Sequence, residues 1–368
     1  MPTVYLHIGA PKTATSTLQA LLAGNSDALL QQGVLYPKRF RHGHAHHVLV
    51  CDLIEKYQRH PMPDFWYGDL PRGQAWRALQ DEIADHGEHI HSVIISSELF
   101  FGQTAHLHAM LRDVREHLQG HEIRIVVYLR RQDELYSSFY NQDVKGVRQW
   151  ADNAYRFYDT HQIFQLDYFE LISAWGEGFE PHNIILRPYE QSQWHDGNIV
   201  SDFCRALGVT ALGGGDVNSN ESLGPTQLVI KQALNRVGFD KSLNDDVVKL
   251  LQMLCPEKSV KGVVYINRRR YGEYREQWLA VNQRLSDAVL GGKPLFVAPI
   301  PNGRDVFPAT VDQSLLDAFF QGLHHYSTSS KQPVLRTLFA RAALLLLLEQ
   351  GRWPQLEGPL RDDLVAWS

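Results

Sequence analysis

Four short, almost wholly apolar runs punctuate the first 190 residues: "TVYLHIG" at 3–9, "HSVIISSELF" at 91–100, "EIRIVVYLRR" at 122–131 and "HNIILRPYE" at 182–190. Apolar runs of this length, bounded by polar residues, predict buried strands. Between them the apolar positions fall into helical spacing, in "TSTLQALLAGN" (15–25), "NSDALLQQG" (25–33), "RGQAWRALQDEIADHG" (72–87), "QDELYSSFYNQ" (132–142), "YFELISAWGEGF" (168–179) and "GNIVSDFCRALGV" (197–209). Buried strands alternating with helices predict an α/β fold, a three-layer doubly wound parallel sheet.

The alternation breaks at a histidine-rich stretch, "RHGHAHHVLVCDLIEKY" (41–57), and at the proline-broken aromatic segment "HPMPDFWYGDLPRG" (60–73), which reads as loop or lid. Beyond residue 212 the chain turns Gly-rich in "LGGGDVNSN", a surface turn, and then mainly helical. The expected organisation is a core over 1–212 and a mainly helical C-terminal extension over 213–368, packed on the same domain.

Composition narrows the function classes. A net charge of −5 over 368 residues supplies no field that would draw the chain onto nucleic acid or an anionic surface, so an anion site has to be built locally. Cys51, Cys204 and Cys255 form neither a C-x-x-C pair nor an even framework, which predicts a reducing, cytoplasmic location. The first strand begins by Val4, where a secretory signal would otherwise stand. "ARAALLLLLEQ" (340–350) is too short to span a bilayer and predicts a docked helix, on the body or in a homodimer.

The chemistry gathers where strands end. After the first strand comes "HIGAPKTATST" (7–17), a glycine-bearing loop with Lys12 and the hydroxyls of Thr13, Thr15, Ser16 and Thr17, leading into a helix. Backbone N–H groups and the helix dipole favour an anion at such a position. A nucleoside triphosphate site would carry its lysine beside the magnesium-binding Ser/Thr, after a second glycine. Here Lys12 follows Pro11, and Ala14 stands two positions later.

That order resembles the 5′-phosphosulfate loop, P-K-[ST]-G-T-[ST], of the P-loop sulfotransferases that use 3′-phosphoadenosine 5′-phosphosulfate (PAPS). Ala14 departs from it, standing where the family most often has Gly. An alanine at positive φ there would cost about 1 kcal/mol or more. A second segment, "VVYLRRQDELYSSFYNQ" (126–142), resembles the family's 3′-phosphate site, with a strand-end arginine and a serine eight positions later. Arg130 and Ser138 fill those places, Arg131 being the neighbouring choice. The likeness covers about residues 3–240. It implies an O-sulfotransferase that binds PAPS through Lys12, Thr13, Ala14, Thr15, Ser16, Thr17, Arg130 and Ser138, releases adenosine 3′,5′-bisphosphate (PAP) and requires no metal. The acceptor it implies is a hydroxyl of a carbohydrate, glycolipid or small molecule. The competing readings are a magnesium-dependent small-molecule or nucleotide kinase and a non-catalytic nucleotide-binding relative.

Transfer to a hydroxyl needs a proton acceptor. Glu98, just past a strand's carboxyl end, is one candidate; His46 and His47 are the others, with His42 and His44 as surface residues. The spacing of the four histidines lacks the Cys or acidic partners of a metal site. Trp66, Tyr67, Trp150, Tyr155, Tyr158 and Tyr168 could wall an acceptor or be core. Arg268, Arg269 and Arg270, in the basic stretch 258–275, read as a solvated helical face.

Overall fold

The structure, a computed structural model, describes residues 1–102, 106–161, 167–210, 212–213, 222–258, 268–302, 311–329 and 332–367, with the backbone alone at 155, 158, 268–270 and 327–329. The chain divides into two compact units. One comprises Met1–Arg131, Leu166–Asn218 and Glu276–Ile300; the other comprises Gln132–Gln165, Ser219–Arg275 and Pro301–Ser368. The sequence suggested one break near 212. The units instead group 132–165 with the C-terminal helices and 276–300 with the sheet.

The first unit is an α/β body. Its strands are β1 (Thr3–His7), β2 (Val34–Leu35), β3 (Ser92–Ser96), β4 (Ile123–Leu129) and β5 (Ile184–Pro188), paired in the order β2-β3-β1-β4-β5 with all pairings parallel. The four apolar runs are thus four of the strands; the fifth, β2, is the two-residue edge after Gly33. Every residue of β3 and all of β4 except Arg124 are buried, as expected where both faces of a parallel sheet are covered.

Helices α1 (Thr15–Gly24), α2 (Ser26–Gln31), α3 (His47–Gln58), α4 (Ala75–His86) and α5 (Leu107–His117) belong to this unit. On one face Leu18 and Leu22 of α1 and Leu29 of α2 pack with Tyr5, Ile94, Val126 and Tyr128. The chain returns to this unit with α8 (Tyr168–Phe179), β5 and α9 (Ile199–Leu207), after α6 (Gln132–Lys145) and α7 (Ala154–Thr160) in the other unit.

The topology places the site. From β1 the chain leaves toward β2 on one side of the sheet, and from β4 it leaves toward β5 on the other. The adjacent carboxyl ends of β1 and β4 therefore flank the switch point, where open α/β sheets bind ligands.

The second unit is helical. It holds α6, α7, α10 (Pro225–Val237), α11 (Asn244–Leu254), the start of α12 (Arg268–Val289), α13 (Gln313–Ser329), α14 (Pro333–Glu349) and α15 (Pro359–Trp367). The Leu-rich run lies in α14, which buries Leu335, Leu338, Phe339, Leu346 and Leu347 and is tied to α10 by the Arg236–Glu349 ion pair. Among the described residues no helix is long and apolar enough to cross a membrane.

Candidate functional site

The loop between β1 and α1 is strained and tightly braced. Lys12 and Ala14 both take left-handed backbone conformations, at φ 66° and 60°. Each costs roughly 1–2 kcal/mol for a residue with a Cβ, and strain of this kind collects at ligand clamps. Gly9, at φ +32°, has to be glycine: a Cβ there would lie 2.4 Å from Thr15 Cγ2. The Thr13 hydroxyl donates to Ala10 O at 2.6 Å with the side chain fully buried. Of the four hydroxyls expected to face an anion, Thr13 thus braces the loop from within, Thr15 is also buried, and Ser16 and Thr17 reach solvent.

Helix α1 begins at this loop without a side-chain cap, and its first turn holds no acidic residue. Its leading N–H groups lack intrahelical partners, and its dipole end favours an anion.

Arg130 reaches the same loop from the end of β4. Its Nη1 donates to Lys12 O at 3.2 Å, and its guanidinium lies 5.5 Å from the centre of the Tyr189 ring. The buried Tyr168 hydroxyl donates to Arg130 O at 2.6 Å. Arg131 turns away, donating to Pro299 O at 3.1 Å and Ala298 O at 3.4 Å. Of the two arginines, Arg130 is the one that meets the loop. Ser138 lies on α6 in the helical unit, half-buried.

A connected polar group runs beside the loop. His7, paired with Ser96 across the β1–β3 register, places Nδ1 2.8 Å from Ser96 Oγ. Gln19 of α1 donates through Nε2 to Glu98 Oε2 at 2.8 Å and to Ser96 Oγ at 3.3 Å. The other Glu98 oxygen, Oε1, lies 3.8 Å from His47 Nε2, while His47 Nδ1 lies 2.8 Å from Ser97 Oγ. Burial lowers the His47 pKa, partly opposed by the Glu98 charge. His7 is fully buried, and burial lowers its pKa to about 4. Its Nε2 has no hydrogen-bond partner among the described residues and lies at the back of the loop, 3.3 Å from where a Gly9 Cβ would stand.

His46 has a different role from the proton acceptor considered for it. Its Nε2 donates to Pro37 O at 3.0 Å and its Nδ1 accepts from Ser96 N–H at 3.0 Å. Both nitrogens are held by backbone and the ring is wholly buried, which lowers its pKa to about 3. It fixes the start of α3 against β3. His47, one residue later, is the imidazole brought to Glu98.

The aromatic candidates also separate. Trp66 packs edge-on against His47 with ring centres 5.0 Å apart, and Phe65 and His42 adjoin it. Tyr67 is buried beneath Arg72, and Tyr168 is core. Trp150 packs on Phe157 and His161 within the helical unit. The side chains of Tyr155, Tyr158, Arg268, Arg269 and Arg270, and most of the 212–220 turn, lie outside the described residues. A cleft of about 410 Å³ lies elsewhere in the sheet unit, lined by Arg187, Trp194, His195, Asp202 and Arg205. Its charges are largely spoken for: Arg187 pairs with Asp202, and Arg205 donates to His195 Nδ1 at 2.8 Å.

Sequence reading missed His7, Ser96 and Gln19. Gln19 carried a signal, being a polar residue one turn beyond Thr15 on the buried side of an apolar helix. His7 carried another, as the one titratable imidazole inside the "VYLHIG" run.

Fold and site together define an α/β chain with an all-parallel sheet and a strained, arginine-flanked loop at its switch point. No family model matches the chain. It is similar to an uncharacterized protein of Archaeoglobus fulgidus, 28% identical over 209 residues, 56% of this chain and 55% of that protein. The chain thus spans about half the length of the curated relative it matches. No solved structure matches it.

Proposed function

We propose that the chain is a PAPS-dependent O-sulfotransferase. The observation that carries the reading is the loop at 8–14: two left-handed non-glycine residues and an uncapped helix start, met by Arg130 at the switch point. A strained loop that presents amides and a lysine, with Pro11 rather than a second glycine before Lys12 and so no G-K-[ST] run, suits a sulfonyl donor better than a magnesium-bound triphosphate. The resemblance of "PKTATST" and of Arg130 to the family motifs supports the same reading.

In this reaction the acceptor oxygen attacks sulfur, the S–O bond to the 5′-phosphate breaks, and adenosine 3′,5′-bisphosphate leaves. Lys12 and the leading amides of α1 take up charge on the departing phosphate. Arg130 contributes to holding the donor's phosphates. The acceptor's proton passes to the Glu98–His47 pair. Trp66, with Phe65 exposed beside it, offers a flat wall for the acceptor, which we place among carbohydrate, glycolipid or small-molecule hydroxyls. The chemistry uses no metal ion. Three buried free thiols suit a reducing, cytoplasmic setting.

The test is conversion of PAPS to the bisphosphate, followed by chromatography in the presence of a panel of sugars, alcohols and phenols, with and without chelator. Acceptor-dependent conversion that survives the chelator supports the reading. Transfer from ATP with magnesium, and none from PAPS, contradicts it.

A further inference from the structure

The helix that starts at the anion loop also holds the carboxylate. Gln19 stands one turn beyond Thr15, is 3% exposed, and has both Nε2 hydrogens engaged, on Glu98 and on Ser96. Ser96 in turn meets His7, whose Nε2, without a hydrogen-bond partner among the described residues, lies against Gly9 of the loop. Loop and helix are braced together: Thr15 is packed against Gly9, Thr13 bonds Ala10 O, and Leu18 N–H bonds Ala14 O at 3.0 Å. On its other side Glu98 faces His47 at 3.8 Å, near enough for its charge to be felt and too long for a hydrogen bond.

We infer that Gln19 is a positioning residue that couples the loop to the proton-accepting pair. A displacement of α1 as its N-terminus closes on an anion carries Gln19, and with it the Glu98 carboxylate, relative to His47 on α3. A buried amide suits this task because it donates to Glu98 without adding a charge, and a shift of a few tenths of an ångström changes a 3.8 Å charge contact measurably. Loop occupancy and readiness to accept a proton are then linked reciprocally, as coupled equilibria must be. The coupling follows an unbroken bonded path, which substitution can cut. This inference rests on the proposed donor site.

The test is the NMR titration of the His47 ring in the full chain, assigned with His47→Asn, without ligand and with saturating adenosine 3′,5′-bisphosphate. Glu98, His42 and His46 are the titratable groups that act on this ring. In the native chain bound bisphosphate is expected to move the His47 midpoint by about 0.5 unit, a threefold change in proton affinity. In Gln19→Leu, with bisphosphate still bound, the shift should fall to less than half of that. Gln19→Glu, which keeps the site polar but opposes Glu98 with a second carboxylate, should lose the native response as well. A full response in both variants overturns the inference and leaves the donor site standing. Failure of the native chain to bind bisphosphate overturns both.

Discussion

The two compact units bury polar groups in opposite ways. In the helical unit the buried Lys231 and Asn141 close on the side-chain and backbone groups around them. Lys231, fully buried, donates to Asn235 Oδ1 at 2.6 Å and Val144 O at 3.2 Å, and Asn141 exchanges bonds with Leu223. In the sheet unit His7, Ser96, Gln19, Glu98 and His47 instead form a chain that leads to a strained loop and ends at a half-exposed carboxylate. Closed polar contacts of the first kind fix helices in place. An open-ended chain at the carboxyl edge of a parallel sheet is an arrangement in which a ligand or a proton completes the set.

Substitutions should separate these two uses of polarity. The largest expected effect is on chemistry: Lys12→Ala should lower the transfer rate about 100-fold or more, the usual cost of losing a preorganised charge donor. The thermal unfolding midpoint should stay near the native value, and a near-normal rate would remove Lys12 from the mechanism.

Acid should destabilise the sheet unit through its buried histidines. His7 and His46 titrate near 4 and 3 when folded, against 6.5 for an unperturbed ring, so the unfolded chain binds the extra protons. Stability present above pH 6.5 is therefore lost as pH falls from 6.5 toward 4, at about 1.4 kcal/mol per pH unit for each ring. Denaturant midpoints measured across that range should fall, less steeply in His46→Asn.

Lys231 makes the parallel test in the helical unit. Burial lowers its pKa to about 7 from 10.5, so its contribution strengthens as pH rises from 7 to 10 and is lost as pH falls back through that window. In Lys231→Met that slope should disappear, with transfer activity unchanged. A smaller effect is expected at Ala14. Glycine relieves about 1–2 kcal/mol of left-handed strain and gives back about 0.5–1 kcal/mol in chain entropy, so Ala14→Gly should stabilise by up to about 1.5 kcal/mol. A lower unfolding midpoint in that variant would show that the loop is not strained.

Legibility in the sequence followed burial. Four strands stood out because both faces of the sheet are covered, leaving uninterrupted apolar runs, whereas the two residues of β2 are too few to carry a period. Helix α3 did not stand out because residues 47–54 are all buried, so it has no polar stripe to set its period. Lys12, Arg130 and Glu98 stood out as candidates because each follows a strand's carboxyl end. His46 and His47 could not be told apart, because what separates them is a carbonyl at Pro37 and an amide at Ser96, each brought near by the fold. The strain at Ala14 was foreseen only as a condition on φ, which the backbone meets at 60°.

The loop as a metal-independent site for a sulfonyl donor is the central claim, and calorimetric titration with adenosine 3′,5′-bisphosphate, beside ATP with magnesium, tests it most directly. The native chain should bind the bisphosphate in the presence of chelator, and Lys12→Ala and Arg130→Ala should each weaken that binding about tenfold or more, as loss of a charged hydrogen bond does. Preference for ATP with magnesium, or bisphosphate binding unchanged in Arg130→Ala, would contradict it.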